Sequence, residues 1–430
     1  MDLLLYLVIP FLILMAIGVP VAFSLGTTVL MFLVLSKTVI PLTALPGQMF
    51  AALNSFPLLA LPLFVLAGSL INRAGITERL LEFSDVLVGW MRGGLAQVNI
   101  VVSMFFGGIS GSALADTSAI GSLLIPAMKK QRYDDDFTVA VTAASSVIGP
   151  IIPPSVPMII IGAMLGVSIG GLFLAGLIPG MLVGFSLMAV TAVMSRRRGY
   201  VPASAFPTGR RFAVASVRAF PALLAPLIIL VGIMTGVFTP TEAGAIASAY
   251  ALLLGTLVYR TLTPRRVYEA LLDTARLTAT ALFIVSVAVV FSRILSFYQV
   301  PQKLFALLLL ITENRILLLI LINGFLFVAG MFMDAVANLL ILGPLVFPVL
   351  TELGMHPLQA GAMIVINLMI GLITPPLAMC LFIACGIAGI GLDQVTRAII
   401  PFIIAEVIIL LLVTYVPWVT LAVPKAAGLF

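Results

Sequence analysis

The sequence has 430 residues, of which 62% are hydrophobic and only 9% are charged, and its mean hydropathy is +1.27. A folded globule leaves much of its surface in water, so a soluble domain could not hide this much apolar surface. The composition therefore predicts an all-α polytopic membrane protein. The formal net charge of +6 does not indicate nucleic-acid binding, because the basic residues form short clusters between apolar segments, as cytoplasmic loops do.

The first half of the chain contains several apolar stretches close to the roughly 20 residues that cross a bilayer. No basic region or cleavage site precedes the first stretch, so we expect no removable signal peptide. Both ends of the stretch 94–129 are basic, which favours a re-entrant hairpin over a crossing. The predicted elements are spans at 3–17 and 20–36, a span at 47–72 interrupted by Pro57 and Pro62, an amphipathic interfacial helix at 76–90, the hairpin 94–129, a broken span at 134–166 and a span at 170–195.

The second half repeats this order after a polar, arginine-containing segment at 196–217. That segment is predicted to be a cytoplasmic linker. The predicted elements that follow are spans at 218–236, 240–260 and 270–295, an interfacial helix at 299–312, a hairpin at 316–351, a broken span at 357–388 and a last span at 397–423.

An internal repeat relates the two halves without gaps. Gly149-Pro150-Ile151-Ile152-Pro153-Pro154 corresponds to Gly371-Leu372-Ile373-Thr374-Pro375-Pro376, 222 positions later, and other Gly and Pro residues recur at the same spacing. Residues 129–132 are basic, whereas their counterparts 351–354 contain no Lys or Arg. Equivalent loops are therefore expected on opposite sides of the membrane, as in the inverted-topology repeats of secondary transporters. The predicted units are 1–195, the linker 196–217 and 218–430.

Four breaks interrupt the predicted helices at membrane depth: 110–113 and 332–335 at the hairpin tips, and 149–157 and 371–376 in the broken spans. Irregular backbone at this depth is tolerated only where it is buried in protein or lines a cavity. Carbonyls at a break can surround a cation, and helices that restart there attract an anion. Each pair of breaks can therefore bind sodium and an organic carboxylate side by side, two pairs allow two sodium sites, and no other cofactor is expected.

The candidate ligands are the polar and small residues in or beside these breaks. The candidate sodium ligands are Ser110, Gly111, Ser112, Ser145, Gly149, Asp334, Asn338, Gly371 and Thr374. The candidate substrate-binding residues are Ser155, Asp116, Asn367, Pro154 and Pro376. A carboxylate at mid-membrane costs about 2.5–3.5 kcal/mol, which indicates a function for Asp116 and Asp334. The alternative is that each polar side chain only bridges packed helices.

Other polar residues favour structural roles. His356, the single histidine, is predicted to be a solvated loop residue, and Glu242 to complement a helix dipole in a first turn. Cys380 and Cys385 lie five apart in an apolar run. That spacing suits neither redox nor zinc chemistry, so we expect both to pack between helices.

Taken together, the motifs resemble the large membrane subunit (DctM type) of the tripartite ATP-independent periplasmic, or TRAP, transporters, over essentially the whole chain. The segments that carry this resemblance are Ser110-Gly111-Ser112-Ala113-Leu114-Ala115-Asp116, the Gly149–Ser155 break, Gly236-Val237-Phe238-Thr239-Pro240-Thr241-Glu242-Ala243 and Phe56-Pro57-Leu58-Leu59-Ala60-Leu61-Pro62-Leu63-Phe64. The hairpin-and-broken-helix plan is also similar to that of divalent-anion sodium symporters.

The resemblance implies a multi-pass protein of the bacterial inner membrane that imports an organic acid with sodium by an elevator movement. It also implies two partners, a small four-span membrane subunit (Q type) and a periplasmic substrate-binding protein (P type). The chain begins directly with its first span, so we expect the small subunit to be a separate chain. The second tip carries Asp334 where the first carries Ser112, so the two ion sites are not expected to be equal.

Three alternative functions can be compared with the sequence pattern. A stand-alone sodium/dicarboxylate symporter would share the repeat and its breaks. An intramembrane enzyme would need a nucleophile with a base, or a metal triad, which one histidine and two apolar-run cysteines do not supply. A channel would need a continuous polar pore, whereas paired hairpins favour occlusion from alternate sides. Family members carry C4-dicarboxylates, sialic acids, other sugar acids and keto acids, and the sequence does not distinguish among these.

Overall fold

The computed structural model describes residues 4–36 and 41–429, and every named element in these ranges is helical. The one bridge of β type described joins Arg92 and Pro202. Eight of the described helices are long and apolar enough to cross a membrane. The chain is therefore an all-α, multi-pass membrane protein.

Ten α-helices form the first half. They are α1 (Ile9–Ala16, preceded by a π-helical turn at Leu4–Val8), α2 (Val21–Leu35), α3 (Ala44–Leu53), α4 (Ala60–Arg73, preceded by a 3₁₀ turn at Phe56–Leu59), α5 (Ile76–Val88), α6 (Gly94–Ser110), α7 (Ala113–Lys130), α8 (Asp135–Ser146), α9 (Val156–Leu165) and α10 (Ile169–Arg198).

Ten more α-helices form the second half. They are α11 (Gly209–Met234), α12 (Pro240–Leu253, followed by a π-helical turn at Leu254–Val258), α13 (Pro264–Phe297), α14 (Val300–Ile311), α15 (Arg315–Phe332), α16 (Ala335–Glu352), α17 (Pro357–Gly371), α18 (Met379–Ala388), α19 (Leu392–Tyr415) and α20 (Pro417–Ala426).

The predicted repeat is present in the helix boundaries. A shift of 222 residues carries α7 onto α16 at both ends, and it carries α6, α8 and α9 onto α15, α17 and α18 to within a few residues. α6 and α7 form the first hairpin, and α15 and α16 the second. α8–α9 and α17–α18 are the two broken helices, and the Pro-Pro pairs at both breaks have a cis peptide bond.

Contacts between the halves show that the repeats are inverted. The ammonium group of Lys129, at the base of the first hairpin, donates a hydrogen bond to the Ala388 carbonyl, 2.7 Å away. The far end of the second broken helix therefore lies beside the base of the first hairpin. At the other end, Gly171 at the start of α10 packs against the Leu358 side chain at the start of α17. The two hairpins consequently enter the molecule from opposite ends.

The broken helices occupy the centre of the protein. From Phe137 to Ser146 every residue of α8 is buried, and so is every residue of α17 from Leu358 to Gly371. A helix that is buried around its whole circumference is covered by other helices rather than by lipid. Both breaks are thus enclosed in protein, where irregular backbone is tolerated.

A cluster of charged and aromatic side chains fixes α10 to α8. The Arg198 guanidinium donates to Asp134 at 2.8 Å and to Asp136 at 2.7 Å, and the Tyr200 hydroxyl donates to Asp134 at 2.7 Å. Burial, together with the neighbouring Asp134, raises the pKa of Tyr200 to about 12. The phenol therefore keeps the proton that it donates at neutral pH.

Three predicted boundaries are wrong. The linker expected over 196–217 is non-helical only at 199–208, because α10 continues to Arg198 and the Thr208 hydroxyl caps α11 by accepting from the Arg211 N–H. The last span ends at Tyr415 and α20 starts at Pro417, where proline cannot continue the helical hydrogen bonds. In the third span the interruption precedes Ala60, and Pro62 lies inside the first turn of α4, where proline is tolerated. Residue 3, predicted to start the first span, lies outside the described residues.

Candidate functional site

The first hairpin tip is a two-residue connection between α6 and α7. Gly111 has a φ of 61°, and Ser112 caps α7 by accepting a hydrogen bond from the Ala115 N–H at 3.4 Å. A side chain at Gly111 would collide with the Pro154 carbonyl oxygen, 2.6 Å from the position of a Cβ. The Val156 N–H also donates to the Gly111 carbonyl at 3.3 Å. The tip therefore rests directly on the break between α8 and α9.

The second tip has the same construction with a different cap. Asp334 caps α16, and its Oδ2 accepts hydrogen bonds from the N–H groups of Val336 at 3.0 Å and Ala337 at 3.4 Å. The Leu377 N–H in the second break donates to the Met331 carbonyl at 3.3 Å. Each hairpin thus forms one unit with the broken helix of its own half.

Glycine pairs allow this close approach. A Cβ on Gly107 would lie 2.7 Å from the Cα of Gly149, and one on Gly371 would lie 2.5 Å from the carbonyl carbon of Gly330. Both contacts are backbone against backbone, so no side-chain movement could relieve them. The glycines at 107 and 371 therefore let each hairpin pack against its broken helix, whereas the Cβ position of Gly149 faces a different set of atoms.

Three oxygens surround the open side of Gly149. The point that a Cβ would occupy lies 3.2 Å from the Ser146 carbonyl oxygen and 3.6 Å from both the Ser112 carbonyl oxygen and Asp116 Oδ2. Two of these groups are carbonyls, which accept from the N–H groups of Gly149 at 3.1 Å (Ser146) and Asp116 at 3.0 Å (Ser112), and the third is a carboxylate. The arrangement concentrates partial and full negative charge on one side of Gly149.

Asp116 is the charged member of this group and is completely buried. Neither of its carboxylate oxygens completes a hydrogen bond, although the Ser103 hydroxyl lies beside them. No described ion pair involves Asp116. Burying a lone carboxylate is costly unless its charge is compensated.

The repeat exchanges the charged and neutral positions between the two tips. The 222-residue shift pairs Ser112 with Asp334 and Asp116 with Asn338. Asn338 is buried; its amide donates to the carbonyls of Ala329 at 3.0 Å and Met333 at 3.2 Å, and its Oδ1 accepts no hydrogen bond. Each tip therefore has one carboxylate side chain and one neutral side chain with an oxygen atom. The carboxylate comes second in the first tip, at Asp116, and first in the second tip, at Asp334.

Two of the predicted ligands join each hairpin to its broken helix. The Ser145 hydroxyl donates to Asn99 Oδ1 at 3.1 Å, and the Asn367 amide donates to Asn323 Oδ1 at 2.9 Å. Ser145 and Asn367 are equivalent in the repeat. Asn99 and Asn323, which the sequence analysis missed, are amides inside apolar hairpin arms. That polar character was the signal available, because such residues commonly bond across membrane helices.

The remaining predicted residues divide between buried and exposed positions. Ser155 is buried and caps α9, accepting from the Met158 N–H at 3.2 Å and donating to the Pro150 carbonyl. The Thr374 hydroxyl donates to the Ile370 carbonyl at 2.8 Å, so its hydrogen bond is made to the last turn of α17. Pro154 is buried and Pro376 is exposed, and the hydroxyl of Ser110 lies 3.5 Å from the Ser112 N–H.

The residues for which structural roles were expected cap helices or are buried between them. Glu242 and Thr239 form a reciprocal cap at the start of α12, as a first-turn role requires. His356 also caps a helix, since its Nδ1 accepts from the Leu358 N–H at 3.2 Å. Cys385 is buried, and the buried Cys380 thiol lies against the hydroxyls of Thr117 and Ser146.

A cavity of about 450 Å³ opens at the end of the molecule where α9 meets α10. Its lining includes the loop 166–168 with the first residues of α10, the 3₁₀ turn before α4 and the segment 238–241. It includes no residue of either tip, so the tips are closed off from this cavity in the described conformation.

Comparison with known proteins identifies the chain. Residues 8–419 match the model of the family described as "Tripartite ATP-independent periplasmic transporter, DctM component". The chain is 43% identical over 409 residues to the sialic acid TRAP transporter large permease protein SiaM of Vibrio cholerae, with 95% of each protein covered. It is 36% identical over 414 residues to the sialic acid TRAP transporter permease protein SiaT of Haemophilus influenzae, covering 96% of this chain and 67% of that longer protein.

A solved structure shares the fold. The Alcanivorax borkumensis YdaH transporter, whose structure is described as having an unusual topology, matches 96% of this chain and 99% of its own with a TM-score of 0.61 at 16% sequence identity. At this identity the match concerns the fold alone. Family and relatives are transporter permeases and not enzymes, and the chain belongs to the DctM family of TRAP transporter large membrane subunits.

Proposed function

We propose that this chain carries an organic acid, such as a sialic acid or a C4-dicarboxylate, across the bacterial inner membrane with sodium as the coupling ion. The observation that carries the sodium assignment is the group of oxygens around Gly149, which includes a completely buried carboxylate without a basic partner. A transporter for anions that contains buried acidic sites at its helix breaks needs cations there before an acid can approach.

The first ion site would use the carbonyls of Ser112 and Ser146 together with the Asp116 carboxylate. The second would use Asp334 and the free amide oxygen of Asn338, in front of Gly371. Since Asp334 Oδ2 already accepts two backbone N–H bonds, its carboxylate has less capacity left for a cation than that of Asp116. We therefore expect the first site to bind sodium more tightly.

The acid would bind at the helix N-termini that restart after the breaks. α7 and α9 begin beside one another, as the contact between Gly111 and Val156 shows, and helix N-termini attract carboxylates. Ser155 and Pro154 would shape the first side of this site and Pro376 the second. Asn367 would act by holding the hairpin, since both hydrogens of its amide are used there.

An elevator movement suits the way in which the hairpins are attached. The hydrogen bonds from Ser145 to Asn99 and from Asn367 to Asn323 tie each hairpin to its broken helix. The glycine contacts hold the same elements at backbone distance. These elements would move as one block against a scaffold formed by the other spans and by a small membrane subunit.

The partners follow from the family and from the lack of a capture domain in the described chain. The longest non-helical connection between its described spans, 199–208, is too short to fold into a substrate-binding domain. Substrate capture would therefore fall to a periplasmic binding protein, and the remaining scaffold to a small four-span subunit. The family description itself specifies a tripartite, periplasmic system.

Reconstitution in proteoliposomes with an inward sodium gradient tests this proposal. Neither this chain alone nor its complex with the small subunit should take up free acid at low concentration. Addition of the acid-loaded binding protein to the complex should start uptake, and collapse of the sodium gradient should stop it. If this chain alone moves free acid with sodium, it is a stand-alone symporter; if uptake with all components ignores sodium, the coupling ion is wrong.

A further inference from the structure

A second acidic group lies buried away from the hairpin tips. Glu406, on α19, has no exposed surface, and neither of its carboxylate oxygens forms a hydrogen bond within the described chain. It lies 14 residues after the start of α19 and 9 before its end. At 1.5 Å per residue it is about 21 Å from one end and about 13 Å from the other, well inside a hydrocarbon layer of about 30 Å.

The helix places this carboxylate in the middle of an apolar face. Phe402, Ile409 and Val413 lie on the same side of α19 and are buried. Phe402 packs against Phe137 of α8, with ring centroids 6.3 Å apart. Nothing about packing requires an acid at this point, and a glutamate that only filled space would cost more than a leucine.

The elements packed against α19 supply no compensating charge. α8, α10, α17, α18 and α20 surround it. Their charged side chains are confined to helix ends: Asp135 and Asp136 in α8, Arg196, Arg197 and Arg198 in α10, and Lys425 in α20. Between those ends, the titratable side chains of these helices are Cys380 and Cys385 in α18.

Cys380 lies near Glu406 and near other buried polar groups. Its thiol lies within electrostatic range of both Glu406 and Asp116, and it rests against the hydroxyls of Thr117 and Ser146. Those two hydroxyls bond to each other at 2.7 Å, which joins α7 to α8. Buried polar groups of α18, α8 and α7 therefore lie in the same region as Glu406.

The repeat shows that this acid belongs to one half only. The position equivalent to Glu406 is Gly184, where a Cβ would lie 2.6 Å from the sulfur of Met104. The first half has no room for a carboxylate at that point. The tips, by contrast, carry one carboxylate each, so Glu406 is an addition to the symmetric pair.

We infer that Glu406 is the centre of a third monovalent-cation site, separate from the two hairpin tips, whose occupant is a proton or a sodium ion that binds and leaves during transport. An ionised carboxylate at this depth without a donor or a basic partner is strongly unfavourable, so the group holds a cation whenever it is enclosed. This inference rests on the transport function proposed above. It adds a cation that the tips do not account for.

The test compares Glu406→Gln with the matched variant Glu352→Gln in the complete reconstituted transporter. Glu352 is exposed at the end of α16, so its substitution removes the same charge from solvent. Acid uptake is measured against sodium concentration and against pH. If the occupant is sodium, Glu406→Gln lowers the Hill coefficient for sodium by about one and raises the half-saturating sodium concentration by roughly tenfold or more. If it is a proton, Glu406→Gln stays sodium-dependent but loses the pH dependence of the wild type.

A labelling experiment on the wild-type protein covers the case in which the variant does not fold. A hydrophobic carbodiimide adds to protonated carboxyl groups in apolar surroundings, and mass spectrometry locates the adduct. Labelling of Glu406 that sodium prevents identifies a sodium site; labelling that only rising pH prevents identifies a proton site.

Two results would overturn the inference. One is a Glu406→Gln transporter whose sodium and pH profiles equal those of Glu352→Gln and the wild type. The other is the absence of Glu406 labelling, or labelling that neither sodium nor pH changes. In both cases wild-type uptake would still depend on sodium, which separates this failure from failure of the proposed function.

Discussion

Replacing Gly149 with alanine tests the first ion site with the smallest possible change. The added methyl group would project towards Ser146, Ser112 and Asp116, the oxygens that we propose as ligands of the cation. Gly149 is not among the glycines with positive φ, so alanine can adopt its backbone conformation. The tightest contact of the new methyl group, 3.2 Å to the Ser146 carbonyl oxygen, needs a shift of only a few tenths of an ångström, and such overpacking costs about 1–3 kcal/mol. The variant should therefore fold.

The effect on sodium should be much larger than the effect on folding. With the cation displaced, the Asp116 carboxylate stays buried without compensation, and breaking a buried charge pair costs about 3–5 kcal/mol. At about 1.4 kcal/mol per factor of ten, the apparent sodium affinity should fall by roughly a hundredfold or more. We expect the loss both in the sodium dependence of uptake and in the thermal stabilisation of the purified protein by sodium.

The matched control is Gly324→Ala, which lies within a hairpin arm and has no atom within 4 Å of an added Cβ. Alanine there should leave sodium affinity unchanged and raise helix stability slightly. A Gly149→Ala protein that folds and keeps wild-type sodium affinity would refute the assignment of the cation to this point.

Three further predictions follow from the same geometry. Asp116→Asn removes the charge of the first tip and leaves the amide that the second tip has at Asn338. In a sodium titration of uptake, this variant should lose more sodium affinity than Ser112→Ala, which keeps the carbonyl ligand. Equal losses of affinity would contradict a role for the carboxylate. A Cβ added at Gly68 would lie 3.2 Å from the Ile109 carbonyl oxygen of the first hairpin. Gly68→Leu should therefore block uptake, while sodium still stabilises the protein. The control Gly47→Leu, with open space around the added Cβ, should transport normally. A cysteine at Gln131 should react with a membrane-impermeant reagent only from the cytoplasm and one at Glu352 only from the periplasm, and labelling of both from one side would exclude the assigned orientation.

The architecture was predictable because its determinants are local. Gly and Pro fix unusual backbone wherever they occur, so a repeat of Gly149–Pro154 at 371–376 reports two equivalent breaks without any knowledge of packing. The tips were predicted at 110–113 and 332–335, and the helix caps Ser112 and Asp334 lie within these ranges. The boundary at 196–217 was wrong because α10 continues past its last apolar residues to Arg198, which hydropathy does not determine. The boundary at 397–423 was wrong because the apolar run continues past Pro417, where the helix is interrupted.

The composition of the site was less predictable because it depends on which helix faces are brought together. Asp116 was predicted to bind substrate. In the structure the first turn of α7 directs its side chain back over the tip, and Oδ2 lies 3.6 Å from the Cβ position of Gly149. Ser145 and Asn367 were predicted as ligands; the sequence did not indicate that they also bond to Asn99 and Asn323, far away in the chain. Glu406 gave no signal beyond a single acid in an apolar span, since its neighbours on α8 and α18 come together only in the fold.

Simultaneous measurement of radioactive sodium and labelled acid entering the same proteoliposomes, with all three components present, tests the central claim most directly. The account predicts that the two influxes rise and fall together in a fixed ratio, and that Gly149→Ala lowers both in parallel at limiting sodium while Gly324→Ala lowers neither. Acid influx at the full wild-type rate with no accompanying sodium influx would contradict it.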